Sequence, residues 1–363
     1  MSYLSSKLKE RKIPELLLDA SGKPITTAST FELHRNELKK LLQEEEYGFL
    51  PERPDIMTVE AETTNSSFLA GKAIYTIYKF TVTVGEKTYA FPVRAVVPKG
   101  EGKHPAFIHI NFRPDVPDLY QPTEEILDDG FAIFSFCYKE LTSDDGDFTN
   151  GVASLFTDGK RGDCAPGKIA MWAWGAMRVM DFIETLDAID AENVAVIGHS
   201  RLGKTALFAG ALDERFKYVI SNNSGCSGAA ITRGKCGEDP ETIARVFPFW
   251  FCPRYVNNSK KFSDYSTYDQ HFLLALSAPR YLLVGSAEED LWADPESEFL
   301  SAYAASDAYK LYGLSGLITP DEIPKAKATL PLGEICYHVR HGAHFLSRED
   351  WRVYMEFIKS KMA

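Results

Sequence analysis

The stretch Gly198-His199-Ser200-Arg201-Leu202-Gly203-Lys204 follows the apolar run Val194-Ala195-Val196-Ile197 and leads into Thr205-Ala206-Leu207-Phe208-Ala209-Gly210-Ala211. An apolar run, a glycine-flanked turn and a helix-forming run read as strand, sharp turn and helix. A serine at such a turn stands above the sheet edge, and the unpaired N–H groups of the first helical turn point at the same space. A hydroxyl placed there can attack a carbonyl carbon while those N–H groups receive the developing oxyanion. The second glycine sits at Gly203, one place later than in G-x-S-x-G, and Leu202 stands where a small residue is usual. Ser200 therefore needs a base and an acid from elsewhere in the chain before it reads as a nucleophile.

The composition sets the frame for that search. The chain has 363 residues, 45% hydrophobic and 25% charged, enough to bury a large core. It is expected to form a single domain over 1–363, with 1–70 a helical or extended lead-in and 71–363 the core. A net charge of −11 disfavours a nucleic-acid partner. No apolar run is long enough to cross a bilayer. The start, Met1 to Lys12, carries charges where a signal peptide is apolar, which favours a cytoplasmic location unless a leader has been removed. The cysteines are Cys137, Cys164, Cys226, Cys236, Cys252 and Cys336, with no Cys-x-x-Cys pair to suggest structural zinc. Several lie in apolar segments and read as buried thiols. A Cys226–Cys236 bridge is the alternative for an exported chain. No sequence signal sets the oligomeric state.

Residues 29–47 pattern as an amphipathic helix, with a Ser29/Glu32 capping box and Phe31, Leu38, Leu41 and Leu42 on one face. Residues 76–84 and 87–98 alternate about Gly85-Glu86 as a hairpin does. Continuous apolar runs follow at 105–112, 131–137, 193–198, 218–221 and 281–285. Such runs fit strands buried on both faces of a mainly parallel sheet. Helical stretches at 168–186 and 204–212 separate some of them, and a last helix runs from Ser347 to about Met362. The expected class is α/β, a three-layer α/β/α sandwich around a mainly parallel sheet.

Ligands of such sheets bind beyond the carboxyl ends of the strands. The loops found there are Asn111-Phe112-Arg113, His199-Ser200-Arg201, Asn222-Asn223-Ser224-Gly225, Ser286 to Trp292, and Arg340 to His344. They offer a serine, then carboxylates, then histidines, the chain order of the α/β-hydrolase fold. His338 and His341 would face opposite sides of a strand, so they cannot grip one ion together. His344 lies past Gly342-Ala343 on the loop and is the expected general base. His338 reads as a core residue, His341 as pocket-lining or solvated, and His199 as packing. The acid comes from Glu288-Glu289-Asp290. Asp290 is the expected choice and Glu289 the alternative. Its task is to orient the imidazole and stabilise the imidazolium.

Several motifs in fixed order carry a family resemblance. They are Gly198 to Lys204, Ser221-Asn222-Asn223-Ser224-Gly225-Cys226, Phe247-Pro248-Phe249-Trp250-Phe251, Tyr268-Asp269-Gln270-His271, Ala278-Pro279-Arg280, Glu289 to Pro295, and Gly342-Ala343-His344 with Asp350-Trp351. The chain resembles the glucuronoyl esterases of carbohydrate esterase family fifteen, nearer the bacterial branch, from about Pro105 to Trp351. The resemblance implies a serine hydrolase that cleaves esters of (4-O-methyl-)glucuronic acid, which in plants join xylan to lignin. It matches Ser200 to the nucleophile, His344 to the base and Arg201 to oxyanion stabilisation. Lys204, Glu238 and Trp292 match residues that contact the sugar. The spacing agrees for Lys204, one helical turn beyond Ser200 on the same face. Backbone N–H groups of Leu202 or Arg201, and one from 111–113, would complete the oxyanion site. Fungal members carry a glutamate acid where this chain has Asn223, so the carboxylate falls to Asp290. They also carry cysteines where this chain has His199 and Phe345. The implied chemistry needs no metal or organic cofactor, and the implied partner is a small-molecule or oligosaccharide uronate ester. An acetyl-xylan or general carboxylesterase is the alternative on the same fold, and an inactive carbohydrate-binding homologue the second.

Overall fold

In this computed structural model, which describes residues 2–262 and 266–362, ten strands form one sheet. They are β1 (Ile56–Phe68), β2 (Ala73–Val84), β3 (Lys87–Pro98), β4 (His104–Asn111), β5 (Ala132–Cys137), β6 (Ile189–His199), β7 (Tyr218–Asn222), β8 (Tyr281–Ala287), β9 (Ala328–Leu330) and β10 (Ile335–Arg340). Their order is β1-β2-β3-β5-β4-β6-β7-β8-β10-β9. The run β5-β4-β6-β7-β8-β10 is parallel. Antiparallel β1, β2 and β3 extend one edge, and antiparallel β9 closes the other.

Helices cover both faces: α1 (Tyr3–Glu10), α2 (Ala28–Leu42), α3 (Thr123–Asp128), α4 (Lys168–Ile183), α5 (Arg201–Leu212), α6 (Pro295–Lys310) and α7 (Arg348–Met362). Alternation along the strands decides which core a side chain joins. Ala106, Ile108 and Ile110 of β4, with Val194 and Val196 of β6, pack in the larger core under α4, α5 and α6. Phe107 of β4, with Ala195 and Ile197 of β6, packs on the other face against α3 and α7. The result is the α/β-hydrolase sandwich.

Two sequence expectations change. The helix expected over 29–47 runs from Ala28 to Leu42 and ends in a π turn over Gln43–Tyr47. Its capping box is Thr27 with Thr30, not Ser29 with Glu32. Thr27 Oγ1 accepts from the Thr30 N–H at 3.2 Å, while Glu32 pairs with Arg35 at 3.2 Å. Strand β1 had no reading as a strand, because Thr, Glu, Asn and Ser dominate it and its burial pattern is almost wholly exposed. An edge strand with solvent on both faces needs no apolar alternation.

Helix α7 sets the position of the last loop. Trp351 is fully buried, edge-on to Phe107 with ring centroids 5.1 Å apart, and its Nε1 donates to the Tyr120 carbonyl at 2.9 Å. Truncating a buried tryptophan costs about 3–5 kcal/mol, so this contact fixes α7 and the turn before it. Among the described residues no helix is long and apolar enough to cross a membrane.

Candidate active site

Ser200 sits between β6 and α5 at φ 58° and ψ −127°, the strained backbone of a sharp elbow. Its N–H donates to the Asn222 carbonyl at 2.9 Å, which ties the elbow to β7. Glycines make the turn sterically feasible. A Cβ on Gly198 would lie 2.1 Å from the Leu202 carbonyl oxygen, and one on Gly203 would lie 3.0 Å from Ser224 Cβ. The displaced second glycine thus lets α5 approach the loop after β7, while Leu202 is buried beneath. Arg201 and Leu202 open α5, so their N–H groups have no intrahelical acceptor.

His344 lies on the loop after β10, and its Nδ1 is 2.6 Å from Asp290 Oδ2. The same oxygen accepts from Asn223 Nδ2 at 2.9 Å, and Asp290 Oδ1 accepts from the Ala293 N–H at 3.3 Å. Asp290 is 5% exposed, whereas Glu289 is exposed and makes no such contact. Burial raises the Asp290 pKa, but the hydrogen bond and charge of His344, with Asn223 and the Ala293 N–H, bring it below the usual value. The carboxylate therefore stays ionised behind the imidazole.

A second layer holds the histidine loop. Arg340 donates to the carbonyls of His341 at 2.8 Å, Ala343 at 3.0 Å and Phe345. Its Nε donates to the buried Asp350 at 2.8 Å. Sequence reading passed over this pair. The proximity of Arg340 to the histidines and of Asp350 to the helix start was the only signal. His199 packs as expected, with Nδ1 2.7 Å from Asn222 Oδ1 and its ring 4.4 Å from that of His344. Burial, with His344 nearby, pushes its pKa down to about 3. It is thus a neutral neighbour to the His344 ring. His338 is buried against Thr329 Oγ1 at 3.0 Å, and the exposed His341 pairs with Glu288 at 2.8 Å.

Ser200, Asp290 and His344 line one cavity of about 360 Å³, together with Arg201, Lys204, Glu238 and Trp292. A larger surface groove of about 540 Å³ between α3 and α7 lies at Glu125, Asp128, Arg348 and Arg352 and shares none of these groups. Within the smaller cavity Lys204 is buried, donates to the Ser224 carbonyl and lies 3.8 Å from Glu238 Oε2. Burial lowers its pKa against the opposing charge of Glu238. The Glu238 N–H donates to the Trp292 carbonyl at 3.1 Å, which joins the two loops. The Trp292 ring, 57% exposed, stands at the mouth. Arg201 pairs with Asp144, and its guanidinium lies 4.5 Å from the Trp250 ring centroid.

One expectation is narrowed here. None of 111–113 lines the cavity, and the Phe112 N–H is taken by Asn111 Oδ1 at 2.8 Å, so that loop supplies no second oxyanion donor at Phe112. Cys137, Cys226, Cys252 and Cys336 are buried free thiols, as the sequence reading has them, and the alternative Cys226–Cys236 bridge is not formed.

Sheet order, elbow and the Asp290–His344 pair together define an α/β hydrolase. The family model described as glucuronyl esterase, fungi, matches residues 80–313. Carbohydrate esterase MZ0003, from an unknown prokaryotic organism, is 31% identical over 99% of this chain and 92% of its own. The 4-O-methyl-glucuronoyl methylesterase of Thermothelomyces thermophilus is 31% identical over 84% of this chain and 73% of its own. A glucuronoyl esterase structure from Solibacter usitatus superposes with a TM-score of 0.91 at 32% identity, covering 97% of this chain and 98% of that one. The chain belongs to the glucuronyl esterase family, carbohydrate esterase family fifteen.

Proposed function

We propose that the protein hydrolyses esters of glucuronic or 4-O-methyl-glucuronic acid through an acyl-enzyme on Ser200. The observation that carries the reading is the shared cavity, lined by Ser200 and the Asp290–His344 pair together with the buried Lys204–Glu238 pair. Ser200 Oγ bonds to the ester carbonyl carbon as its proton passes to His344 Nε2. The carbonyl π electrons move onto oxygen, held by the N–H groups of Arg201 and Leu202 and by the Arg201 guanidinium. The bond to the alcohol oxygen breaks as His344 returns the proton to that oxygen. Water repeats the sequence, releasing the uronic acid and restoring Ser200. Asp290 holds Nδ1–H and stabilises the imidazolium. Lys204 donates to sugar hydroxyls, Glu238 accepts from them, and Trp292 stacks on a pyranose face. An acetyl group would leave Lys204 and Glu238 without those partners.

The test compares kcat/KM on benzyl glucuronate and on p-nitrophenyl acetate. The uronate should be preferred by about 10²-fold or more, because a site built around substrate hydroxyls rejects an analogue without them. Lys204→Ala should cost about 10- to 10²-fold on the uronate, the loss of one charge-assisted hydrogen bond, and far less on the acetate. A preference for the acetate, unaffected by Lys204→Ala, would replace the uronate reading with a general carboxylesterase.

A further inference from the structure

Arg201 adjoins Ser200 and carries a long side chain, which is useful to an oxyanion only if it is already in place when charge develops. Three donors converge on the carboxylate of Asp144. Oδ2 accepts from Arg201 Nη1 and from the Tyr138 hydroxyl at 2.9 Å, and Oδ1 accepts from Trp250 Nε1 at 2.8 Å. The Asp144 side chain is 8% exposed, and among the described residues it is the only carboxylate paired with Arg201. The guanidinium also lies over Trp250, whose ring stacks on Phe247 with centroids 3.8 Å apart and planes 3° from parallel.

The loop that brings Asp144 is fixed independently of Arg201. Buried Lys168 donates to Thr142 Oγ1 at 2.9 Å and to the Asp147 carbonyl at 2.6 Å, and the Ser143 N–H donates to Asn150 Oδ1 at 3.0 Å. Asp144 does not line the cavity but bonds two residues that do, Arg201 and Trp250, and of these Arg201 adjoins Ser200.

We propose that Asp144 is a positioning residue: with Trp250 beneath, it holds the Arg201 guanidinium at the cavity wall beside Ser200. The inference rests on the reading of Ser200 as nucleophile and Arg201 as oxyanion donor. Held this way, the guanidinium needs no reorganisation as the carbonyl oxygen becomes charged. With an amide at position 144 the ion pair is gone and the arginine samples other rotamers.

Steady-state kinetics on benzyl glucuronate, with thermal melts to confirm folding, test this in a double-mutant cycle. Arg201→Ala should lower kcat about 10²-fold, the scale of one lost oxyanion donor. Asp144→Asn should lower kcat about tenfold with KM within about twofold, and the double variant should fall within about twofold of Arg201→Ala alone, because both act through one group. Asp144→Asn at wild-type kcat, Arg201→Ala at wild-type kcat, or equal Asp144→Asn losses in the two backgrounds would overturn the proposal. If Asp144→Asn does not fold, Tyr138→Phe strips one donor from the same carboxylate at a residue outside the cavity. It should give about a threefold loss that vanishes in the Arg201→Ala background. Ser200→Ala separates the levels. Turnover retained there removes the nucleophile reading, whereas an inactive Ser200→Ala with additive Asp144 and Arg201 losses removes this inference alone.

Discussion

Asp290 in the loop after β8 and Glu298 in helix α6 are both buried, and their surroundings drive them in opposite directions. Burial raises the Asp290 pKa, yet the His344 hydrogen bond and charge, the Asn223 amide and the Ala293 N–H bring it below the usual value. Burial dominates at Glu298. The Gly225 N–H at 2.9 Å and the Ser286 hydroxyl at 2.5 Å do not offset it, and its pKa rises to about 7. The charge of Asp290 itself pushes in the same direction. Glu298 lies fully inside the core while Asp290 lines the cavity, so depth and partners both set the difference. In the proposed mechanism Asp290 faces an imidazole that gains a proton, and its charge stabilises that cation. Glu298 braces Gly225 at the cavity wall, a task that a neutral carboxyl or an amide performs as well.

This contrast breaks first under substitution of the loop carboxylate. Asp290→Asn should lower kcat by about 10³- to 10⁴-fold, as loss of the orienting charge leaves the imidazole in the wrong tautomer. Glu298→Gln should hold kcat on benzyl glucuronate within about threefold. If instead Glu298→Gln proves the more damaging of the two, the division of roles is wrong.

A smaller effect sharpens the same contrast through pH. The folded pKa of Glu298 lies above its unfolded value of 4.5, at about 7. Its carboxyl therefore contributes stability that is fully present below pH 4.5 and is lost as pH rises through 7. Glu298→Gln removes that loss. Its stability relative to wild type, followed by melting temperature, should become more favourable between pH 4.5 and pH 8, by at most roughly 3 kcal/mol. Asp290 has the opposite sign. Its depressed pKa contributes stability above the usual carboxylate pKa, lost as pH falls through the folded value, so Asp290→Asn should be most destabilising at neutral pH. Parallel pH trends for the two variants would contradict the assignment.

The central strands and the elbow were legible because burial on both faces writes continuous Val, Ile and Ala runs, and because Gly198 and Gly203 bracket the serine. The hairpin was legible from Gly85 between alternating runs, and Val84 does pair with Lys87. Edge strand β1 left no such mark. The cap of α2 shifted because Thr26, Thr27, Ser29 and Thr30 offer competing hydroxyls, and only backbone geometry selects Thr27. Choosing between Glu289 and Asp290 needed the direction in which the chain leaves β8. The roles of Asp144, Arg340 and Asp350 were not legible for another reason. Asp144 bonds a cavity residue from outside the cavity, Arg340 and Asp350 brace the loop that carries His344, and a single sequence does not show which charges meet across loops.

Labelling by a fluorophosphonate, with the adduct mapped by mass spectrometry, tests the convergence of Ser200, His344 and Asp290 most directly. A single adduct on Ser200 is predicted, formed in step with loss of benzyl glucuronate turnover. Full turnover with Ser200 unmodified, or an adduct on another residue that accounts for the inactivation, would contradict it.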